Sequence, residues 1–241
     1  VTSLLDRITS QGAAAEVPAV ERGAADAAVV AAKIRTAMAL PSEDTARIVA
    51  VWDEAGSRHD PEALDAALAE LTAGGWVPFV GAVSRRRLRD SALVAIRGTA
   101  RAGTVELAAA VVGAAGRKED AVILETLARH PAFTLHAATA LSNLAHWQGR
   151  ASLLRLLTHL DGEQRVVVID RLLPHIREPA VRLALVRDAL KGLAPEHARE
   201  VASDIATLCT VQDCIDDPDA PEDLKAGARM VLAACEARPA E

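Results

Sequence analysis

Residues Pro131–Ala194 read PAFTLHAATALSNLAHWQGRASLLRLLTHLDGEQRVVVIDRLLPHIREPAVRLALVRDALKGLA, and this stretch decides the fold. It holds four apolar-periodic segments in a row, each about one helix long. The first carries Leu135, Ala138, Leu141 and Ala145 and ends at Gln148-Gly149. The second carries Leu153, Leu156, Leu157 and Leu160 and stops at Asp161-Gly162. Val166, Ile169, Leu173 and Ile176 mark the third. The fourth follows Pro179 with Leu183, Val186, Leu190 and Leu193. Steps of three and four residues put each set on one helix face. The short breaks fold neighbouring helices back antiparallel on one another. The run Arg165–Asp170 is rich in β-branched residues, but it sits within a helical period with Leu172, Leu173 and Ile176 and reads as helix.

Working outward, the same grammar recurs along all 241 residues, a length that allows one large domain or two small ones. Half the chain is hydrophobic (51%) but only 2% is aromatic, with no Tyr, so the core must be built from Ala, Leu, Val and Ile. High Ala with Leu, Arg and Glu favours helix, and small side chains let helix axes approach. Towards the N-terminus, helices are expected over residues 2–11, Ala24–Leu40, and from Ser42 as N-cap to Glu54. Another is expected from Asp60-Pro61-Glu62 to about Thr72, stopped at Gly74-Gly75. Gly12–Gly23 reads as a loop, and Trp76–Val83 as a short irregular helix. Ser84 is expected to cap a long helix over Arg85–Ala102, and Thr104 to cap the next. Arg117–Arg129 follows. Beyond the opening stretch, Pro195-Glu196 starts a helix to Thr210. Gln212–Ala220 reads as an acidic link, and Pro221-Glu222 starts the last helix, which reaches about Glu236.

Two repeat periods fit. Helix starts at Thr104, Thr134, Glu163 and Pro195 lie 30, 29 and 32 residues apart, as in a helix-pair repeat. Segments beginning at Pro131, Pro179 and Pro221 lie 48 and 42 apart, as in a three-helix repeat. Either predicts an all-α superhelix, a solenoid of about a dozen antiparallel helices with its stack over residues 41–241; residues 1–40 read as N-terminal helices, and whether they pack on the stack as a cap is left open.

Glu178-Pro179-Ala180-Val181-Arg182-Leu183-Ala184-Leu185 through Ala189-Leu190 resembles the second helix of a HEAT-type repeat, with its Pro or acid, then Val-Arg, then a small-and-apolar run ending in Ala-Leu. Pro131 with Ala137–Leu141, and Pro221 with Ala226, Ala228 and Val231-Leu232, are looser copies. The resemblance to the HEAT and armadillo repeats implies an α/α superhelix and a binding or scaffolding role. It brings no shared catalytic residues.

Charge is unevenly spread. The whole chain carries −6, yet residues 85–118 carry +6, from eight basic and two acidic groups, between flanks of −6 each. Within one helix, Arg86, Arg89, Arg97 and Arg101 would share a stripe roughly 120° wide, and Leu88, Ala92, Ile96 and Thr99 would face away. Arg85, Arg87, Arg117 and Lys118 could widen the patch. Guanidinium groups so arranged suit carboxylates or phosphates, which they grip in bidentate fashion. A solvated face balanced by Asp90 and nearby glutamates would explain the same residues. The leading expectation is a non-catalytic scaffold that binds a protein or peptide bearing an acidic or phosphate-bearing segment. The partner-binding residues would be Arg85, Arg86, Arg89, Arg97 and Arg101. The alternative is a nucleic-acid binder, with a HEAT-like DNA glycosylase as its extreme form. That form would need a strongly basic concave face with aromatics to hold a displaced base, and this chain is acidic, with three Trp and two Phe.

No catalytic, cofactor or metal constellation is expected. The seven histidines lack the paired spacing of a zinc helix. Cys209 and Cys214 lack a second Cys or His pair and read as small hydrophobes. Asp213, Asp216, Asp217, Asp219, Glu222 and Asp223 lack the alternating ligands and central Gly of a calcium loop. Gly113–Lys118 has the wrong spacing for a phosphate loop, and no strand precedes it. No apolar run approaches the ~18–20 residues of a membrane span, and residues 1–10 show no charged-then-apolar leader. Three cysteines, an odd number, fit a reducing cytoplasm.

Overall fold

A computed structural model of the chain describes residues 2–18, 27–56 and 82–237. Helix is the only regular element among them, as the Ala- and Leu-rich composition dictates. The expected helix at Asp60–Thr72, its Gly74-Gly75 stop and most of Trp76–Val83 lie outside the described residues.

The chain divides into two compact units, Val1–His146 and Trp147–Glu241, so the boundary falls inside the stretch that reads as one continuous stack. The described helices of the first unit are α1 (Leu4–Gln11), α2 (Ala27–Ala39), α3 (Thr45–Gly56), α4 (Ala82–Gly98), α5 (Ala102–Ala115), α6 (Ala121–Ala128) and α7 (Thr134–Asn143). Those of the second are α8 (Trp147–His159), α9 (Gly162–Leu172), α10 (Pro179–Asp188), α11 (Pro195–Leu208), α12 (Val211–Asp216) and α13 (Glu222–Glu236).

Helix α5 is the axis of the first unit. Its sequence, AGTVELAAAVVGAA, is apolar on nearly every side, and a helix apolar all round must be buried. It packs against α3, α4 and α7. Small residues make the crossings close. A Cβ on Gly113 would sit 2.7 Å from the Cα of Ala140 in α7, and one on Gly56 would sit 2.6 Å from the Cα of Thr104. Trp52, Ile96, Leu107, Leu124, Phe133 and Leu141 fill the surrounding core. Ser3 caps α1 by accepting from the Asp6 N–H (3.1 Å), and the Leu4 N–H bonds the Thr99 carbonyl (2.9 Å), which ties α1 to the end of α4.

In the second unit Leu153, Leu156, Val168, Ile169, Leu185, Ile205 and Val231 form the core. A Cβ on Gly227 would meet the Val186 carbonyl oxygen at 2.4 Å, so α13 crosses α10 almost backbone to backbone. Arg165 of α9 is buried and donates to the carbonyls of Leu160 (3.1 Å), Ala189 (3.2 Å) and Asp188 (2.5 Å). It thereby satisfies chain ends just past α8 and α10, where helix carbonyls lack partners.

Several boundaries differ from expectation. The long basic helix ends at Gly98, not Ala102, because the chain turns at Thr99 to reach α1 and α5. Thr104 does not cap α5, which begins at Ala102; its hydroxyl instead donates to Asp53 (2.8 Å). Ser42 lies in a turn, and α3 starts at Thr45. Gln148 and Gly149 lie inside α8, because the preceding helix already ends at Asn143, with Leu144 as its C-cap, whose N–H bonds the Ala140 carbonyl (3.1 Å). Helix α10 stops at Asp188 in turns that include Gly192 at φ +73°, so Leu190 and Leu193 lie beyond it. The acidic link contains the short helix α12.

Candidate functional site

The basic end of α4 is the most unusual surface of the first unit. Arg85, Arg86 and Arg87 are all exposed on one helical turn. Among the described residues, Arg85 and Arg87 have no ion pair, and Arg86 has only a loose one, to Asp90 (3.6 Å). Successive side chains point about 100° apart round a helix, so the three cations fan out over the turn, and Asp90 is shared between Arg86 and Arg89 (2.9 Å).

Arg89 has a different role from its neighbours. Its guanidinium turns inward and forks onto the buried Asp120, with Nε to Oδ2 at 2.5 Å and Nη2 to Oδ1 at 2.7 Å. That hydrogen bond, chiefly, raises the Arg89 pKa despite partial burial. Asp120 Oδ2 also accepts the Arg117 backbone N–H (2.7 Å). One carboxylate therefore pins the turn carrying the exposed Arg117 and Lys118 against α4. Arg85, one turn before Arg89 on the same side, flanks that turn.

On the other flank, Arg86 and Arg87 border a groove of about 660 Å³ within the first unit. The segment from the end of α2 to the start of α3 forms its other wall, with Met38, Leu40, Pro41, Glu43 and Ile48. Val94 extends the wall of α4. Met38 and Ile48 are 7% and 2% exposed, so the floor is apolar and fixed.

The remaining candidate arginines do not join this cluster. Arg97 is exposed in the last turn of α4, roughly 16 Å along the axis from Arg86 at 1.5 Å per residue. There a cation suits the helix C-terminus. Arg101 lies off α4, immediately before α5, and its Nε is 3.9 Å from Asp53 Oδ2. The structure thus groups Arg85 and Arg86 with Arg87, turns Arg89 to an internal role, and sets Arg97 and Arg101 apart. The expected 120° stripe is broken where the helix ends.

The other chemistry-bearing residues have structural uses. His130 Nε2 meets the Ala15 carbonyl (2.9 Å) and its Nδ1 accepts the Ala132 N–H (3.2 Å), so the ring links two segments. His159 Nδ1 meets the Arg155 carbonyl (2.7 Å). Cys209, Cys214 and Cys235 are free thiols. Burial, aided by Cys214 and opposed by Arg182, pushes the Cys209 thiol pKa up, which disfavours the nucleophilic thiolate. Gly113 is a crossing residue inside α5, and Gly116 ends that helix, its N–H bonded to the Val112 carbonyl (2.7 Å). Among the described residues, no three His, Cys, Asp or Glu side chains converge as a metal site would require. No helix among them is long and apolar enough to cross a membrane.

No protein-family model, curated protein or solved structure matches this chain.

Sequence reasoning missed Asp120 and the groove. Asp120 carries a faint local signal, an acid three residues after Arg117 at a helix start, the spacing of half a capping box. The groove has none, since its walls lie about fifty residues apart.

Proposed function

We propose that this chain is a non-catalytic adaptor of the HEAT-like repeat kind, which binds an acidic or phosphate-bearing segment of another protein through Arg85, Arg86 and Arg87. The observation that carries this reading is the run of three successive exposed arginines on one turn of α4, of which Arg85 and Arg87 have no ion pair among the described residues and Arg86 only a loose one. An incoming carboxylate or phosphate gains charge-assisted hydrogen bonds there. The packing supports the repeat reading. Helix α5 touches α7, α8 touches α10, and α11 touches α13, so alternate helices meet as the layers of stacked repeats do. A cytoplasmic setting fits the three free thiols.

The test is a fluorescence titration of acidic peptides, phosphopeptides, and short duplex and single-stranded DNA at low and moderate salt. It compares wild type with the Arg85→Ala/Arg86→Ala/Arg87→Ala variant. Peptide binding lost in the variant is the expected result. Binding to any DNA sequence with steep salt dependence, and none to peptides, would replace the adaptor by a nucleic-acid binder.

A further inference from the structure

The groove beside the arginines narrows the class of partner. Resting on the adaptor reading, we infer that the groove takes a short peptide segment in which a large aliphatic or aromatic side chain lies within a few residues of a phosphorylated or acidic residue. The apolar side chain fills the groove, and the anion meets Arg86 and Arg87 at its edge.

Three observations lead there. First, the groove joins two chemistries that a purely ionic contact does not need. Met38, Leu40, Pro41, Ile48 and Val94 offer an apolar wall, while Arg86 and Arg87 stand on the same rim. Second, its size fits. A volume of about 660 Å³ falls within the range of ligand pockets, roughly 300–1,000 Å³, and holds several side chains rather than one ion. Third, the charges on the rim are not equivalent. Asp90 is held by Arg89 (2.9 Å), and Glu43 accepts from the Ser42 hydroxyl (3.3 Å). Arg87 has no ion pair among the described residues, and Arg86 is only 3.6 Å from an acid that is already bonded. Glu43 and Asp90 set two carboxylates against Arg86 and Arg87, so the excess positive charge comes from exposed Arg85 next to them, and the complementary occupant of cluster and groove together is an anion with an apolar neighbour. The apolar anchor supplies energy by burial and the charge sets register and on-rate.

The probe is a set of synthetic peptides, each carrying Leu, Ile or Phe at one to four residues from a phosphoserine, a pair of aspartates or an uncharged serine. Binding is read by fluorescence anisotropy. Ala39 lines the groove from the exposed face of the last turn of α2, so Ala39→Trp obstructs the groove without touching the core. Circular dichroism confirms that this variant and Arg86→Ala/Arg87→Ala keep their helix content. The expected result is tight binding only of peptides with both features. Each variant should weaken it about tenfold or more, the loss typical of removing one anchor of a contact. If anionic peptides bind equally well without an apolar residue, and Ala39→Trp changes nothing, the groove inference is overturned while the adaptor reading stands. If no peptide binds wild type at low salt, both fall.

Discussion

Among the described residues Arg165 bonds to no carboxylate; its guanidinium ends on three main-chain carbonyls, those of Leu160, Asp188 and Ala189. Burial lowers its pKa, against the pull of Asp161 and then Asp188, but an arginine this far from neutral pH stays charged. Arg165→Met would strand the carbonyls, and a hydrogen bond to a charged group contributes about 1.5–3 kcal/mol. Urea unfolding should therefore show a loss of about 3 kcal/mol, and Arg165→Lys should recover only part, because one ammonium cannot span three acceptors in a fork. Two aspartates in the same unit make an opposed pair. Burial, opposed by Arg171 and reinforced by Asp204 and Glu200, holds the Asp170 carboxyl above its ordinary value of 3.8. The folded state thus favours the proton, so the favourable contribution is full below that ordinary value and lost as pH rises through the folded one. For Asp188, burial also pushes upward, but hydrogen bonds from Arg187 (2.9 Å) and Lys191 (2.6 Å) outweigh it and set the carboxyl below 3.8. Its contribution is present above the ordinary value and lost as pH falls through the folded one. At pH 7 Asp170→Asn should raise the melting temperature and Asp188→Asn should lower it. Both differences should shrink near pH 3 in thermal scans followed by circular dichroism.

At the scale of the helix, glycine placement decides how closely elements cross. Replacing an exposed mid-helix Gly by Ala stabilises by about 1 kcal/mol. Gly113 and Gly227 should do the reverse, because a methyl there meets backbone rather than a movable side chain. The distances are 2.7 Å to the Ala140 Cα and 2.4 Å to the Val186 carbonyl oxygen. Gly113→Ala and Gly227→Ala should each cost about 1–3 kcal/mol in denaturant unfolding, the usual range for overpacking. An unchanged or increased stability would show that the helices can separate without loss. The same contrast explains what could be read in advance. The starts of α10, α11 and α13 were legible because Pro179, Pro195 and the Pro221-Glu222 pair act within one turn of chain. The helical state of Arg165–Asp170 was legible because its period outruns its β propensity. Thr104 misled because a carboxylate 51 residues away recruits its hydroxyl. Arg89 reads like its exposed neighbours, and only the pairing with Asp120, 31 residues on, turns it inward. The exposed arginines were legible from charge alone; the groove beside them depends on a tertiary approach that no local pattern encodes.

For the molecule as a whole, charge distribution limits what the arginines can hold. The chain carries −6, and its one positive zone, residues 85–118, belongs to the first unit. At 0.1 M salt the screening length is about 10 Å, so a peptide seated at Arg85–Arg87 responds mainly to that cluster. A duplex of twenty base pairs extends several screening lengths further and must also meet the field of a chain whose acids outnumber its bases, 33 to 27. Three guanidinium groups can neutralise about three phosphates, which limits the slope of log K against log salt to about −3, since each released counterion contributes about −0.9. A titration of that duplex between about 50 and 300 mM salt should therefore give weak binding with a slope no steeper than this. Arg85→Ala/Arg86→Ala/Arg87→Ala should abolish it. A slope of about −6 or steeper that survives the triple substitution would mean that cations well outside α4 contact the phosphates. The acidic average of the chain would then conceal a nucleic-acid surface elsewhere, and the groove would lose its claim to be the principal docking site.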